Sequence, residues 1–111
     1  VVNIVGKVKN KNCVIVDDLI DTGGTIYNAS KALKKAGAKD IYIMATHGLL
    51  SGKAPKKLSD ENIIKKVVVT NSINIPEKTK FDSLDTISIA PLLAQAIIKV
   101  VDDAAMSPLF E

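Results

Sequence analysis

The sequence of 111 residues contains no arginine, one cysteine and one histidine. Sequence-specific nucleic-acid readers rely on Arg to contact base edges, so this absence argues against nucleic acid as a partner, and the scattered lysines are interpreted as solvated surface. A lone Cys13 cannot form an internal disulfide and is typical of a reducing compartment, so a cytoplasmic location is expected. His47 has no second His and no nearby Cys with which to build a metal site. It is interpreted as a structural hydrogen-bonding residue, and no metal site is predicted.

Long uninterrupted hydrophobic runs are also missing. The most apolar stretch, Ile87 to Val101, is broken by Ser88, Pro91, Gln95 and Lys99. This pattern predicts a core strand followed by an amphipathic helix, and no association with a membrane is expected. The overall composition, 47% hydrophobic and 24% charged with a net charge of +3, is that of an ordinary globular domain.

The most informative stretch runs from Val14 to Thr25 and reads VIVDDLIDTGGT. Its apolar, β-branched start predicts a central strand over Cys13–Asp17 that is buried on both faces. Asp17 and Asp18 close this strand, a glycine turn follows, and a helical pattern begins at Thr25. Because ligands of open parallel sheets bind outside the carboxyl ends of the strands, the acidic pair and the turn are predicted to form a binding site.

The residue types in this stretch suit a ribose 5-phosphate. Two adjacent carboxylates, Asp17 and Asp18, only accept hydrogen bonds and therefore match two neighbouring hydroxyl groups. Gly23 and Gly24 let an anion approach the backbone, where N–H groups at a helix N-terminus favour a phosphate. The alternative is a simple capped helix, with Asp21 or Thr22 as the N-cap. The doubled aspartate favours binding, since two like charges side by side cost energy unless a ligand or cation uses them.

The remaining pattern alternates strands and helices, which predicts one α/β domain with a mostly parallel sheet flanked by helices. A first strand over Val1–Val5 could form a hairpin with the central strand. The final helix is predicted to bury Leu93, Ala96, Ile97 and Val100. The other predicted elements are a helix over 25–36, strands over 41–45, 67–70 and 84–89, a helix over 91–101, and a tail from 104 onward that docks on this domain or on another subunit.

The motif VIVDDLIDTGGT resembles the phosphoribosyl-binding motif that type I phosphoribosyltransferases share with ribose-phosphate pyrophosphokinases. Further segments resemble the pyrophosphokinases in order and spacing, so the resemblance covers almost the whole chain. These segments are Val5-Gly6-Lys7-Val8, Ala45-Thr46-His47-Gly48 with Ser51-Gly52 and Ala54, VVVTNSI over 67–73, and Ser107-Pro108-Leu109-Phe110.

This resemblance implies a phosphoribosyltransferase-like fold and transfer of diphosphate from MgATP to ribose 5-phosphate, giving phosphoribosyl pyrophosphate and AMP. It implies that Asp17 and Asp18 hold the ribose hydroxyls. It also implies that Asp21, Thr22, Gly23, Gly24 and Thr25 hold the 5-phosphate. Since a carboxylate repels a phosphate dianion, Asp21 is expected to point away or to contribute its backbone N–H. The resemblance further implies Mg²⁺ carried with ATP, a homo-oligomer, and a regulatory site near Ser107 and Phe110.

The chain is expected to be a single domain over residues 1–111 and the C-terminal part of a longer enzyme. An N-terminal half and a catalytic loop would then lie upstream, so no catalytic residue is assigned within this segment, and the segment alone is expected to be inactive. Two alternatives remain open: a phosphoribosyltransferase, and a non-catalytic regulatory subunit related to the synthetase.

Overall fold

The computed structural model describes residues 6–110, which form one four-stranded sheet in which every neighbouring pair of strands is parallel. The strands lie side by side in chain order, and helices and short turns connect them. This arrangement confirms the predicted α/β fold. The predicted strand Val1–Val5, and with it the hairpin, lies outside the described residues. The elements are β1 Cys13–Ile20, α1 Gly24–Lys35, β2 Ile41–Gly48, α2 Ala54–Leu58, β3 Lys66–Thr70, β4 Leu84–Ile87 and α3 Ala90–Val101, with 3₁₀ turns at Glu77–Thr79 and Ser107–Phe110.

The hydrophobic core lies on one face of the sheet, beneath α1 and α2. Alternate residues of the strands face this side, among them Ile43 and Val67, and both are fully buried. Ile26 from α1 and Leu58 from α2 complete the same cluster. Ser30, also buried in α1, donates its hydroxyl to the carbonyl of Ile26 at 2.8 Å, so its polar group is satisfied inside the core.

Two predictions for β1 are wrong. The strand continues to Ile20 instead of ending at Asp17, because its pairing with β2 persists through Leu19 and Ile20 and the Ile20 side chain is fully buried. Within residues 6–110, β1 lies at the edge of the sheet, and the strand predicted to pair with it, Val1–Val5, lies outside these residues. The side chains of Val14 and Val16 are 53% and 75% exposed, so this strand is buried on one face only.

The second face of the sheet and the surface of α3 are both apolar and exposed. Val16 and Met44 are exposed on that face, and no residue of α3 is buried. Ile97, predicted to be buried, is 63% exposed, so the predicted buried face of the last helix is wrong for this structure. The reason is that α3 extends away from the sheet and packs mainly against the Ser107–Phe110 turn. The radius of gyration is accordingly 16.6 Å, compared with about 13 Å for a compact domain of this length.

Within residues 6–110, no helix combines the length and the apolar character needed to cross a membrane.

Candidate functional site

The turn between β1 and α1 leaves the start of the helix without a side-chain cap. Gly23 is the N-cap residue, with φ of 75° in the left-handed region that glycine adopts at low cost. No side chain hydrogen-bonds to the first turn, so the interpretation of Asp21 or Thr22 as a capping residue is wrong. The first N–H groups of any helix lack intrahelical partners, and here they remain available to an anion.

A cleft of about 190 Å³ opens directly over this turn. Asp17 forms part of its wall, and Asp21 lies at its rim beside the glycine turn. The structure thus brings together six of the seven residues predicted for substrate binding. They are Asp17, Asp21, Thr22, Gly23, Gly24 and Thr25.

The seventh predicted residue, Asp18, does not line the cleft. It lies within β1, and its backbone N–H donates to Oδ1 of Asp17 at 2.7 Å, which holds the Asp17 carboxylate close to the strand. Hydrogen bonding with the Asp17 side chain, then with the backbone N–H of Leu19, lowers the pKa of the Asp18 carboxyl below its ordinary value, and the charge of His47 acts in the same direction. Asp18 is therefore a readily ionised carboxylate beside the cleft.

The segment that follows β2 is held against the glycine turn by three backbone hydrogen bonds. The N–H groups of Leu49 and Leu50 both donate to the carbonyl of Ile20 at 3.0 Å, and the N–H of Ser51 donates to the carbonyl of Asp21 at 2.9 Å. These bonds fix the start of α2 next to the motif, although the two segments are about thirty residues apart in the sequence. The glycine turn and the loop after β2 consequently form one structural unit.

The helix α2 lies in the segment 53–62, where the sequence predicts a short helix or turn, and it forms a wall behind the glycine turn that the sequence did not predict. A Cβ built on Gly23 would lie 3.5 Å from Cβ of Ala54 and 3.5 Å from Cδ1 of Leu58, so the turn packs directly on this helix. The hydroxyl of Tyr27 donates to Oδ2 of Asp60 at 3.0 Å and links α1 to the end of α2. This hydrogen bond raises the pKa of the Tyr27 phenol. The four-residue spacing of Ala54 and Leu58 was the available signal for a packed helical face.

Polar side chains join the carboxyl ends of β2, β3 and β4 beside the cleft. Nδ1 of His47 lies 2.6 Å from the hydroxyl oxygen of Ser72. Oδ1 of Asn71 accepts a hydrogen bond from the backbone N–H of Ile89 at 2.9 Å. His47 is therefore a structural hydrogen-bonding residue, as predicted. No group of three or more His, Cys, Asp and Glu side chains that could hold a metal ion is found between residues 6 and 110.

The residues predicted for regulation lie at the other end of α3. Ser107 and Phe110 belong to the short 3₁₀ turn that follows this helix, and the Phe110 side chain is 76% exposed. Neither residue lines the cleft over the glycine turn. Their predicted role in regulation remains a prediction.

A four-stranded parallel sheet with an uncapped glycine turn and a carboxylate at its carboxyl edge places the chain in the class of open α/β proteins, whose ligands generally bind at that edge. Comparison with known families gives a narrower assignment. The profile of the family described as "Phosphoribosyl synthetase-associated domain" matches residues 1–111. The chain belongs to this family.

Individual relatives agree with the family assignment. The chain is 50% identical over 111 residues to the ribose-phosphate pyrophosphokinase of Listeria ivanovii. It is 48% identical over 110 residues to that of Caldanaerobacter subterraneus. The crystal structure of phosphoribosylpyrophosphate synthetase from Mycobacterium smegmatis superposes with a TM-score of 0.87 at 48% identity, covering 90% of this chain and 33% of that one.

The chain spans about a third of the length of these relatives, 35% for the Listeria protein. The comparisons establish the family and the share of each relative that is matched. They do not support the expectation that the chain corresponds to the C-terminal part of a longer enzyme.

Proposed function

We propose that this chain binds ribose 5-phosphate in a protein that transfers diphosphate from MgATP to that sugar, giving phosphoribosyl pyrophosphate and AMP. The observation that carries the proposal is the single cleft in which Asp17 faces an uncapped glycine turn. It is supported by relatives that are named ribose-phosphate pyrophosphokinases.

In this proposal the 5-phosphate lies at the N-terminus of α1. The backbone N–H groups of Thr22 to Thr25 surround it, and the hydroxyls of Thr22 and Thr25 donate further hydrogen bonds. Gly23 has a φ of 75°, which glycine adopts without strain and other residues adopt at a cost. Because it has no side chain, the phosphate can approach the backbone closely. Asp21 contributes its backbone N–H, since its carboxylate would repel the phosphate.

The ribose ring then extends from the turn toward β1. Asp17, which borders the same cleft, accepts hydrogen bonds from the ring hydroxyls. We propose Asp18, which is ionised and lies next to Asp17 on the strand but outside the cleft lining, as the second acceptor where the diol extends past the cleft. Clamping the sugar at both ends fixes the direction of its 1-hydroxyl, and diphosphoryl transfer depends mainly on such positioning and on charge stabilisation.

The second substrate is MgATP, in which Mg²⁺ is bound by the nucleotide. No residue of this chain is assigned to it. We further propose that the protein is a homo-oligomer and that Ser107 and Phe110 lie near a regulatory site, as the resemblance implies.

A non-catalytic regulatory subunit related to the synthetase is the second candidate, and it is compatible with the matched family's description, which names a synthetase-associated domain and no activity. Such a subunit would keep the phosphoribosyl site without the reaction. The intact glycine turn and Asp17 fit both candidates, so an activity measurement must separate them.

The deciding experiment measures AMP release from MgATP and ribose 5-phosphate by the protein in its full native length. The control is the double variant Asp17→Asn/Asp18→Asn. AMP that is formed by the native protein and lost in the control supports the proposed reaction. Absence of AMP, together with tight binding of phosphoribosyl pyrophosphate, would contradict it and favour the non-catalytic subunit or a phosphoribosyltransferase.

A further inference from the structure

The side chain of Lys57 ends close to the glycine turn, although Lys57 is not one of the residues that line the cleft. A Cβ built on Gly24 would lie 3.7 Å from Nζ of Lys57, a residue in the last turn of α2. Gly24 is the first residue of α1, where the unpartnered N–H groups of the helix begin. The absence of a side chain at Gly24 leaves the space between the ammonium group and the backbone open.

The position of Lys57 is fixed by the packing of its helix. Leu58, the next residue, is fully buried and contacts the region of Gly23. The hydrogen bond between Tyr27 and Asp60 holds the end of α2 against α1. Lys57 itself is half-buried, so its stem is packed while its charged end stays at the turn.

A cation beside the glycine turn would offset the negative charge of the two carboxylates that border the cleft. Asp17 and Asp21 both border the cleft, and their carboxylates oppose the approach of a phosphate dianion. The sequence has no arginine, so lysine must supply any permanent side-chain cation. Among the ion pairs formed within residues 6–110, none involves Lys57, which leaves its ammonium group available to a ligand.

We propose that Lys57 binds the 5-phosphate of ribose 5-phosphate as a point charge, opposite the backbone N–H groups of α1. This inference rests on the proposed function and adds to it a binding residue that lies outside the VIVDDLIDTGGT motif. Lysine is a common phosphate ligand of this kind, and a charge-assisted hydrogen bond is about twice as strong as a neutral one.

The test compares Lys57→Gln with Lys56→Gln in the protein in its full native length. Lys56 is the matched control, because it precedes Lys57 in the same short helix, is exposed, and loses the same charge. We expect Lys57→Gln to weaken ribose 5-phosphate binding about tenfold, measured by calorimetry, and Lys56→Gln to change it by less than about twofold. Lys57→Arg should restore most of the affinity, because it returns the charge.

Two readouts separate phosphate binding from a merely structural role. In Lys57→Gln the KM for ribose 5-phosphate should rise while the KM for MgATP stays unchanged. The affinity of the native protein for ribose 5-phosphate should also fall more steeply with added salt than that of the variant, because salt screens the half-exposed ammonium group.

Three results would overturn the inference. Equal affinities for the native protein and Lys57→Gln would exclude Lys57 as a ligand while leaving the proposed function intact. A parallel loss of affinity for both substrates, with a lowered Tm, would show that Lys57 only supports the fold. Failure of the native protein to bind ribose 5-phosphate would remove the proposed function itself, and the role of Lys57 with it.

Discussion

At the scale of single residues, the most specific requirement is the backbone conformation of Gly23. Its φ of 75° lies in the left-handed region, and a Cβ there would also contact Ala54 and Leu58. Gly24, the next residue, has no positive φ, and a Cβ there would meet only the end of the Lys57 side chain at an ordinary contact distance. The two neighbouring glycines therefore provide a matched pair.

We predict that Gly23→Ala lowers the free energy of unfolding by about 1–2 kcal/mol, the usual strain of a left-handed residue with a side chain. Gly24→Ala should change it by less than about 0.5 kcal/mol, because neither backbone strain nor a rigid contact is introduced. Urea unfolding of both variants measures the difference. Equal stabilities for the two variants would contradict the assigned backbone conformation.

A second prediction at this scale concerns Asp18. Its pKa is lowered in the folded state, so on acidification the unfolded state takes up a proton before the folded state does. The stabilisation is present above the ordinary pKa of about 3.9 and is lost as the pH falls through the lower folded-state pKa.

Asp18→Asn should therefore flatten the acidic limb of the stability profile. Thermal unfolding of the native protein and the variant, recorded between neutral and strongly acidic pH, tests this expectation. Profiles that stay parallel throughout would show that the hydrogen bonding of Asp18 with the Asp17 side chain and the Leu19 N–H does not favour the ionised form.

The grouping of six motif residues around one cleft could be predicted from the sequence because the motif is continuous and each residue type has a chemical use. The geometry around Asp18 could not be predicted. An acidic pair after three apolar residues resembles a strand end, and only the continued pairing of Leu19 and Ile20 with β2 shows that the strand includes both aspartates. The approach of Lys57 and α2 to the glycine turn was missed because the contacts that bring them there are long-range.

At the scale of secondary-structure elements, the last residue of β2, Gly48, packs tightly against a side chain of β3. A Cβ built on Gly48 would lie 3.0 Å from Cγ2 of Val69 and 3.1 Å from its Cγ1. Val69 is almost completely buried and cannot move aside freely. A side chain at position 48 would therefore press against the buried side chain of Val69.

We predict that Gly48→Ala destabilises the fold by about 1–3 kcal/mol, the usual range for overpacking a buried contact. The double variant Gly48→Ala/Val69→Ala should be less destabilised than the sum of the two single variants by about 1 kcal/mol, because the smaller side chain at 69 removes the clash. Denaturant unfolding of all four proteins completes the cycle. Additive effects would mean that the two residues do not contact each other.

At the scale of the whole molecule, the described residues leave a large apolar surface uncovered. Val14 and Val16 on the sheet face, and Ile97 and Val100 on α3, remain largely exposed, and large contiguous apolar patches are unusual on monomeric soluble proteins. The helical spacing of α3 predicted correctly that this helix has an apolar face. The apolar periodicity of a helix indicates that one face is suited to burial, but it does not indicate which part of the protein covers that face.

The exposed surface and the extent of the chain together predict how residues 1–111 behave as an isolated segment. The cleft over the glycine turn is the proposed site for one of the two substrates, and the chain spans about a third of the length of the relatives named pyrophosphokinases. We expect the isolated segment to bind ribose 5-phosphate more weakly than the full-length protein, because its site is open to solvent, and to form no AMP from MgATP. Calorimetry and a coupled AMP assay on both forms test this, with Asp17→Asn as the binding control. Measurable AMP formation by the segment, lost on Asp17→Asn substitution, would contradict the prediction and require the MgATP site to lie within these 111 residues.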